Sequence, residues 1–367
     1  MLRMIDESIV FKNPNPIHKS LCANFPSLVK IPDGELLCLF RVGQARASYD
    51  GHLELARSAD GGRTWNCQGP VNIPTADRSY VFLCADMACS KSGTLIITGT
   101  AIDAGNPENP IWNPQTDGLK ESKIVVTISR DNGYTWGPLN EIYIGLKEPA
   151  ADGRVIELMD GRFMQAFETW KSYDVNDLWD QKAGVIFSED NGKTWGNCVI
   201  IVHDPKREKY YWDTGLCRLR DGTLLGLSWT NDNVQKKAVN VHRVLSGDGG
   251  KTWSLPEEVN FVGELCRPIE LENGQVLCIY NDRKKPAGIK AVFSSNRGAS
   301  WNTAKTSIIW DAAEFAGKNN PFADFLAFDF GMPSVQQLPD GTIAVAFYAY
   351  ENHVCHIRLR RFIVEGV

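Results

Sequence analysis

One eight-residue phrase recurs along this chain. Ser58–Trp65 (SADGGRTW), Ser129–Trp136 (SRDNGYTW), Ser188–Trp195 (SEDNGKTW) and Ser246–Trp253 (SGDGGKTW) share a Ser, Asp, Gly, Thr and Trp in register, and Ser294–Trp301 (SSNRGASW) is a worn copy. Such a repeat constrains architecture before any single residue is read, because each copy must be one supersecondary unit. Each copy follows a strand-like run: LELAR, KIVVTI, GVIF, VNVHRVL or IKAVF. The Asp carboxylate can accept backbone N–H groups across a tight turn, and the Gly can take the positive φ the turn needs. The Trp can fold back as an apolar plug against a neighbouring strand pair. On this reading the phrase holds turns and performs no chemistry.

A second repeat interlocks with the first. Six hairpins turn at Asp33-Gly34, Ser92-Gly93, Asp160-Gly161, Asp221-Gly222, Asn273-Gly274 and Asp340-Gly341. Asp-Gly or Asn-Gly between alternating strands is a strong hairpin signal. The hairpins stand about 60 residues apart, a propeller-like spacing. After five of them comes a third strand, the eight-residue phrase and a fourth strand. After the sixth, CHIRLRRFIV supplies a third strand and SIVFKNP near the N-terminus can supply the fourth. Such a closure removes the exposed sheet edge. The expected fold is all-β: a six-bladed β-propeller of four-stranded antiparallel blades, one domain over residues 1–367.

Alternating strand direction sorts the loops. The hairpin turns and the eight-residue phrases share one face; the entries to the first strands and the second-to-third-strand loops share the other, where side chains converge on the axis. That second face is the default place for a ligand. It collects Asn24, Arg41, Arg46 and Asp50 from blade 1, and Asp86 from blade 2 with Trp112 in a long insertion. Blade 3 gives Asp152, Arg154, Glu168, Trp170 and Trp179; blade 4 gives Tyr210, Trp212, Asp213 and Trp229. Blade 5 gives Glu264, Arg267, Asn281 and Arg283; blade 6 gives Asp329, Tyr348, Tyr350 and His353, after a long entry NNPFADFLAFDFG. Aromatic rings stack on sugar faces, Arg holds a carboxylate bidentately, and paired carboxylates do acid and base work at a glycosidic bond. The catalytic candidates are Asp50, Glu168 and Asp213. The substrate-binding candidates are Asn24, Arg41, Arg46, Asp86, Arg154, Trp170, Trp229, Glu264, Arg267, Asn281, Asp329 and Tyr348.

The phrase resembles the Asp box, or BNR repeat, of the sialidase superfamily. That resemblance implies the same propeller and a carbohydrate ligand. It also implies places for catalytic groups. Sialidases carry an Arg two residues before the Pro of a first-strand motif; here that frame reads Asn24-Phe25-Pro26-Ser27-Leu28. Their nucleophilic Tyr lies nine residues before the last hairpin's turn Gly; that position is Met332. Asp50 falls in the region of their acid/base Asp, and Asp213 where they carry the Glu that polarises the Tyr. With Tyr absent, a carboxylate can serve directly as nucleophile.

Three readings follow. The first is a sialidase-like glycosidase acting on a terminal acidic or small neutral sugar, with Asp50 as proton donor and Glu168 or Asp213 as second carboxylate. The second is a non-catalytic carbohydrate-binding propeller. The third is a lyase-like enzyme on uronate oligosaccharides, drawing its base from Tyr348, Tyr350 or His353. The net charge of −5 and the lack of a basic tract argue against nucleic acid. No apolar run is long enough to span a bilayer. Ten cysteines without a CxxC pair fit buried free thiols in a reducing cytoplasm, and MLRMIDESIVF lacks the core of an export signal. Scattered histidines give no metal-binding spacing, and no cofactor is expected.

Overall fold

The computed structural model describes residues 1–74, 80–151, 153–284, 286–312, 329–351 and 354–365. Six antiparallel sheets follow one another and form a six-bladed β-propeller. Blade 1 has strands Cys22–Lys30, Leu36–Gly43, His52–Ser58 and Asn66–Pro70, hydrogen-bonded in chain order. The first strands of the other blades are Tyr80–Cys89, the broken pair Pro149–Ala150 and Val155–Glu157, Lys209–Arg218, Glu264–Glu270, and Phe330–Gln337. First strands touch the first strands of neighbouring blades and so line the axis. Some approach very closely: a Cβ on Gly215 would sit 1.9 Å from the Cys266 carbonyl oxygen.

The sixth blade closes as its missing fourth strand requires. Leu2–Lys12 runs antiparallel to Val354–Val364 on the outer edge of that sheet. Charge pairs stitch the seam. Arg361 donates to Asp6, and Arg358 and Arg360 both pair with Glu7. Arg361 is 2% exposed and also reaches the Gly61 carbonyl, tying the closing strand to blade 1.

There is no single central core. Apolar side chains gather in six wedges, one between each pair of adjacent blades. The second strands bury both faces, so their sequences read as near-continuous apolar runs such as Leu36–Phe40 and Ile343–Phe347. Each repeat Trp enters the wedge shared with the preceding blade. Trp136 packs with Val29 and Leu39 of blade 1, Trp253 with Phe187 of blade 3, and Trp301 with Leu225 of blade 4. Trp65 packs with Leu338 and Leu359 of the last blade and completes the ring.

The turn chemistry matches its sequence. In the second copy the Ser129 hydroxyl donates to Asp131 at 2.7 Å and accepts from the Gly133 amide at 2.9 Å. The Asp131 carboxylate also accepts the Thr135 amide at 2.9 Å and the Thr135 hydroxyl. The Trp136 indole donates to the Gly133 carbonyl at 3.2 Å. These Thr135 donors hold the Asp131 carboxyl down at about 2, below its ordinary 3.8. In the worn copy Asn296 replaces the Asp and still accepts the Ser300 amide at 2.9 Å.

This geometry fixes a pH signature. A depressed carboxyl stabilises the fold above the unfolded value and loses that contribution as pH falls through the folded value. Asp131→Ala is expected to cost about 1 kcal/mol at pH 7, a modest figure for an exposed, hydrogen-bonded carboxylate. The gap between wild type and variant, read from urea midpoints, should narrow between about pH 4 and pH 2. Asp131→Asn should cost less at pH 7, as the Asn296 copy shows the turn tolerates an amide. A gap that stays constant down to pH 2 would mean the charge plays no part.

Candidate functional site

The site begins with a backbone feature. The ladder register slips between Asn24 and Ser27, Trp212 and Gly215, Glu264 and Arg267, and Gly331 and Ser334. Asn24, Trp212, Glu264 and Gly331 all stand ten residues before their hairpin's turn glycine, so four first strands carry one bulge at one level. The next residue in each is left-handed: Phe25 at φ 54°, Asp213 at 48°, Leu265 at 48° and Met332 at 52°. Non-glycine residues pay about 1–2 kcal/mol for that conformation. Bulges re-aim side chains, and strained backbone of this kind clusters at functional sites. Pro26 and Pro333 fall inside the slipped segments, where no ladder N–H is needed. Phe25 and Met332 line an axial cavity with Asp86, Arg267 and Ser334.

Two catalytic candidates meet at the blade 3–blade 4 junction. Glu168, 3% exposed, accepts the backbone N–H of Asp213 at 2.7 Å. Asp213, 7% exposed, lies in the field of Arg283 from blade 5. Asp50 stands apart at the exposed rim, where its carboxylate accepts the Gln44 amide at 3.0–3.1 Å. Partial burial pushes the Asp50 carboxyl up. Hydrogen bonds from Ser48 and the Gln44 amide, with the Arg41 charge, outweigh that and hold it below the ordinary carboxylate range. Without a ligand Asp50 is therefore ionised at neutral pH, the opposite of what a proton donor needs.

The arginines divide by where their donors point. Arg41 is fully buried and spends its guanidinium on backbone: Phe82 O at 2.8 Å, Ala45 O at 2.8 Å and Ser48 O at 2.9 Å. It shapes the loop that carries Asp50 instead of facing a ligand. Arg46 lies over the Phe25 ring, 5.5 Å from its centroid. Arg154 sits half-buried in the gap of the broken blade 3 strand, in the electrostatic field of Asp86 and Arg267. Burial pulls Arg154 below its ordinary value. Asp86 itself bridges blades 1 and 3, accepting from Ser27 Oγ at 2.6 Å and the Val155 amide at 3.0 Å.

Blade 5 supplies a buried ion pair between Glu264 and Arg283. Burial lowers the Arg283 guanidinium to about 10. Tyr348, fully buried, lies beside it, and its phenol is pushed up to about 12 by burial. Asn281 lies opposite Glu264 in the sheet with no solvent exposure, and both polar atoms of its amide are buried without a partner among the described residues. A Cβ on Gly331 would come within 2.8 Å of that amide nitrogen, so the glycine lets blade 6 close over it. Asn24 is equally buried; its amide contacts Cys22 Sγ at 3.4 Å and its carbonyl oxygen has no partner among the described residues. A buried polar group left open in this way carries a desolvation cost that native folds rarely leave unmet.

An aromatic cluster flanks the two carboxylates. Trp170, two residues after Glu168, stacks 4.8 Å from Trp212, which directly precedes Asp213. Trp229 lies across the strand pair from Trp212 and is 7% exposed. Asp329 is half-buried and accepts the Tyr350 amide at 2.8 Å through its backbone carbonyl. Tyr350 interacts with the thiols of Cys22 and Cys355. Asp152, His353 and most of the entry to blade 6 lie outside the described residues. Arg283 and Trp212 matter more than their residue types suggested. Aligning the hairpins on their turn glycines would have raised Trp212, because that frame puts it level with Asn24 and Glu264.

Residues 113–345 match the family described as BNR repeat-like domain. A sialidase of Paraclostridium sordellii is 25% identical over 248 residues, covering 63% of this chain and 56% of that protein. The chain spans about half the length of the curated relatives it matches. A protein of unknown function from Dyadobacter fermentans has the same fold at a TM-score of 0.79, with 19% identity over 99% of each chain. A Hadza microbial sialidase superimposes at 0.70 with 17% identity, covering 97% of this chain and 68% of that one. At such identities the two structures establish likeness of fold.

The Glu264–Arg283 pair gives the site its own stability test. Glu264→Gln removes the closest counter-charge from a buried guanidinium and should destabilise by about 3 kcal/mol, the range for breaking a buried pair from one side. Glu264→Gln combined with Arg283→Met should recover part of that loss. Chemical denaturation of Glu264→Gln, Arg283→Met and the double variant decides it; additive costs would show that the pair is not coupled.

Proposed function

The chain belongs to the BNR repeat-like family, and from that premise we propose that it is a sialidase-like glycoside hydrolase acting on a terminal sugar of an oligosaccharide. The observation that carries the reading is the junction of Glu168 and Asp213, two nearly buried acidic residues joined through the Asp213 amide. Arg267, which lines the axial cavity, and half-buried Arg154 in its electrostatic field suit an acidic substituent on that sugar. One of the two carboxylates attacks or activates water at the anomeric carbon, and the other orients it. Asp50 is the proton donor. Its carboxyl lies below the ordinary range in the free state. A sugar covering the rim adds burial, which raises a carboxyl, and that rise has to outweigh the Ser48 and Gln44 hydrogen bonds and the Arg41 charge for the bound state to take up the proton. The ten free cysteines, most of them buried, suit the cytoplasm as the working compartment.

One observation favours a second reading, a carbohydrate-binding propeller without turnover. Asn24 and Met332 stand where the resemblance calls for an arginine and a tyrosine, and Met332 lines the axial cavity with an apolar side chain.

A screen of aryl glycosides and uronate oligosaccharides separates these readings. Hydrolysis should appear as a new reducing end, and Glu168→Gln or Asp213→Asn should lower kcat by about a thousandfold, within the usual range for acid–base groups. Asp50→Ala should harm natural, poorly leaving aglycones far more than activated aryl ones. Saturable binding without turnover would establish the binding reading. A product absorbing in the near ultraviolet would replace hydrolysis by elimination, and turnover that survives both carboxylate substitutions would move the site elsewhere.

A further inference from the structure

Resting on the proposed carbohydrate site, we propose that five aromatic rings running outward from the axial carboxylates form a second subsite, which takes the neutral sugar next to the terminal one. The rings are Trp212, Trp170, Trp179, Tyr210 and Trp112. They come from three blades and touch in series. Trp212 lies 4.8 Å from Trp170 and 5.0 Å from Trp179, between ring centroids. Trp179 lies 5.4 Å from Tyr210, and Trp170 lies 6.0 Å from Trp112. The inner end is fixed by sequence: Trp212 precedes Asp213 on a first strand, and Trp170 follows Glu168 by two residues. The outer end is Trp112, in the blade 2 insertion, anchored by bridges from Leu119 to Trp112 and Ser172. Trp212 thus shares its strand with Asp213, Trp170 directly follows the strand of Glu168, and the outer end sits in the blade 2 insertion.

Three features set this cluster apart from core packing. It belongs to none of the six interblade wedges; Trp112 and Trp170 instead edge a small satellite cluster. Four of the rings are half-buried, and only Trp212 is buried. Among the described residues no Arg or Lys lies over any of the five rings, whereas cations do cap Phe25, Tyr49, Tyr80 and Tyr134. Nearby Arg207 turns instead to the Leu178 carbonyl at 3.0 Å. The Tyr210 hydroxyl is also occupied, by the Asn233 amide at 3.3 Å and the Trp179 backbone. An uncharged surface of half-open rings, whose inner members stand one and two residues along the chain from Asp213 and Glu168, matches the C–H face of a neutral sugar. A charged residue there would lose its water without gaining a counter-charge.

The test is binding, so it stands even where turnover is absent. Lactose, cellotriose and maltotriose are titrated calorimetrically into wild type, Trp179→Ala, Trp112→Ala and Trp179→Phe. At least one of these neutral oligosaccharides should bind wild type saturably. Its affinity should fall about tenfold in Trp179→Ala and Trp112→Ala, the loss of roughly one stacked ring face. Trp179→Phe should retain most of it. Both rings lie on loops outside the wedges, and unchanged melting temperatures will confirm folding. The proposal is overturned by no saturable binding of any neutral probe at millimolar concentration, by alanine variants that bind as wild type does, or by a Trp179→Phe variant as weak as Trp179→Ala. Failure of hydrolysis in the glycoside screen with this binding intact would sink the enzymatic reading and leave the subsite standing.

Discussion

The whole molecule depends on apolar wedging between neighbouring sheets. No blade can bury its own faces, so each one borrows surface from the next, and the arrangement is stable only when the circle closes. The repeat Trp is the part of the phrase that does this work at the rim, since it crosses into the preceding blade's wedge. Closure then becomes the critical step. It is made by an N-terminal strand whose partner is the C-terminal strand, held by Asp6 and Glu7 against Arg358, Arg360 and Arg361. Those two acidic residues, which break the apolar character of the first segment in the sequence, are the ones that fix the seam.

A ring so constrained can carry strain at its centre. The four matching bulges place Phe25, Asp213, Leu265 and Met332 in backbone conformations that each disfavour folding. The wedges around them over-determine the first strands, and the ladder resumes within two or three residues on either side. The strain has a geometric use. It gives a strand residue a direction that regular alternation forbids, so Asp213 can offer its amide to Glu168 across the blade boundary while its neighbour Trp212 joins the aromatic run. Both belong to one device.

The sequence announced the ring because its signals were local. Asp-Gly turns, the eight-residue phrase and the two-face apolar runs each lie within one hairpin, and their periodicity then dictates the count. The site was harder to read because its contacts cross blades. Arg41 and Arg283 illustrate this. Both are arginines at the end of a second strand, and residue type alone ranks them equally. Arg41 proves to brace its loop through the Ala45 and Ser48 carbonyls and to reach the Phe82 carbonyl of blade 2, and Arg283 proves to pair with Glu264 beside Asp213 and Tyr348. The difference lies in the length and path of the neighbouring loop, which no pattern within the blade reveals. Asp50 shows the same limit in electrostatic form: its place on the functional face could be counted, but the Ser48 and Gln44 donors that keep it ionised depend on a loop fold that Arg41 imposes.

That last dependence links scaffold to chemistry. Arg41 is buried, yet it holds the Ala45 and Ser48 carbonyls that form the Asp50 loop. A buried guanidinium with filled donors is rigid, because moving it would strand several hydrogen bonds at once in a low-dielectric interior. The rim carboxylate thus inherits its position from a core charge, and the axial pair inherits its own from strained first strands. Rigidity at the ring's centre is what the proposed site needs if it must hold one sugar firmly while the rest of the chain extends outward over the aromatic surface.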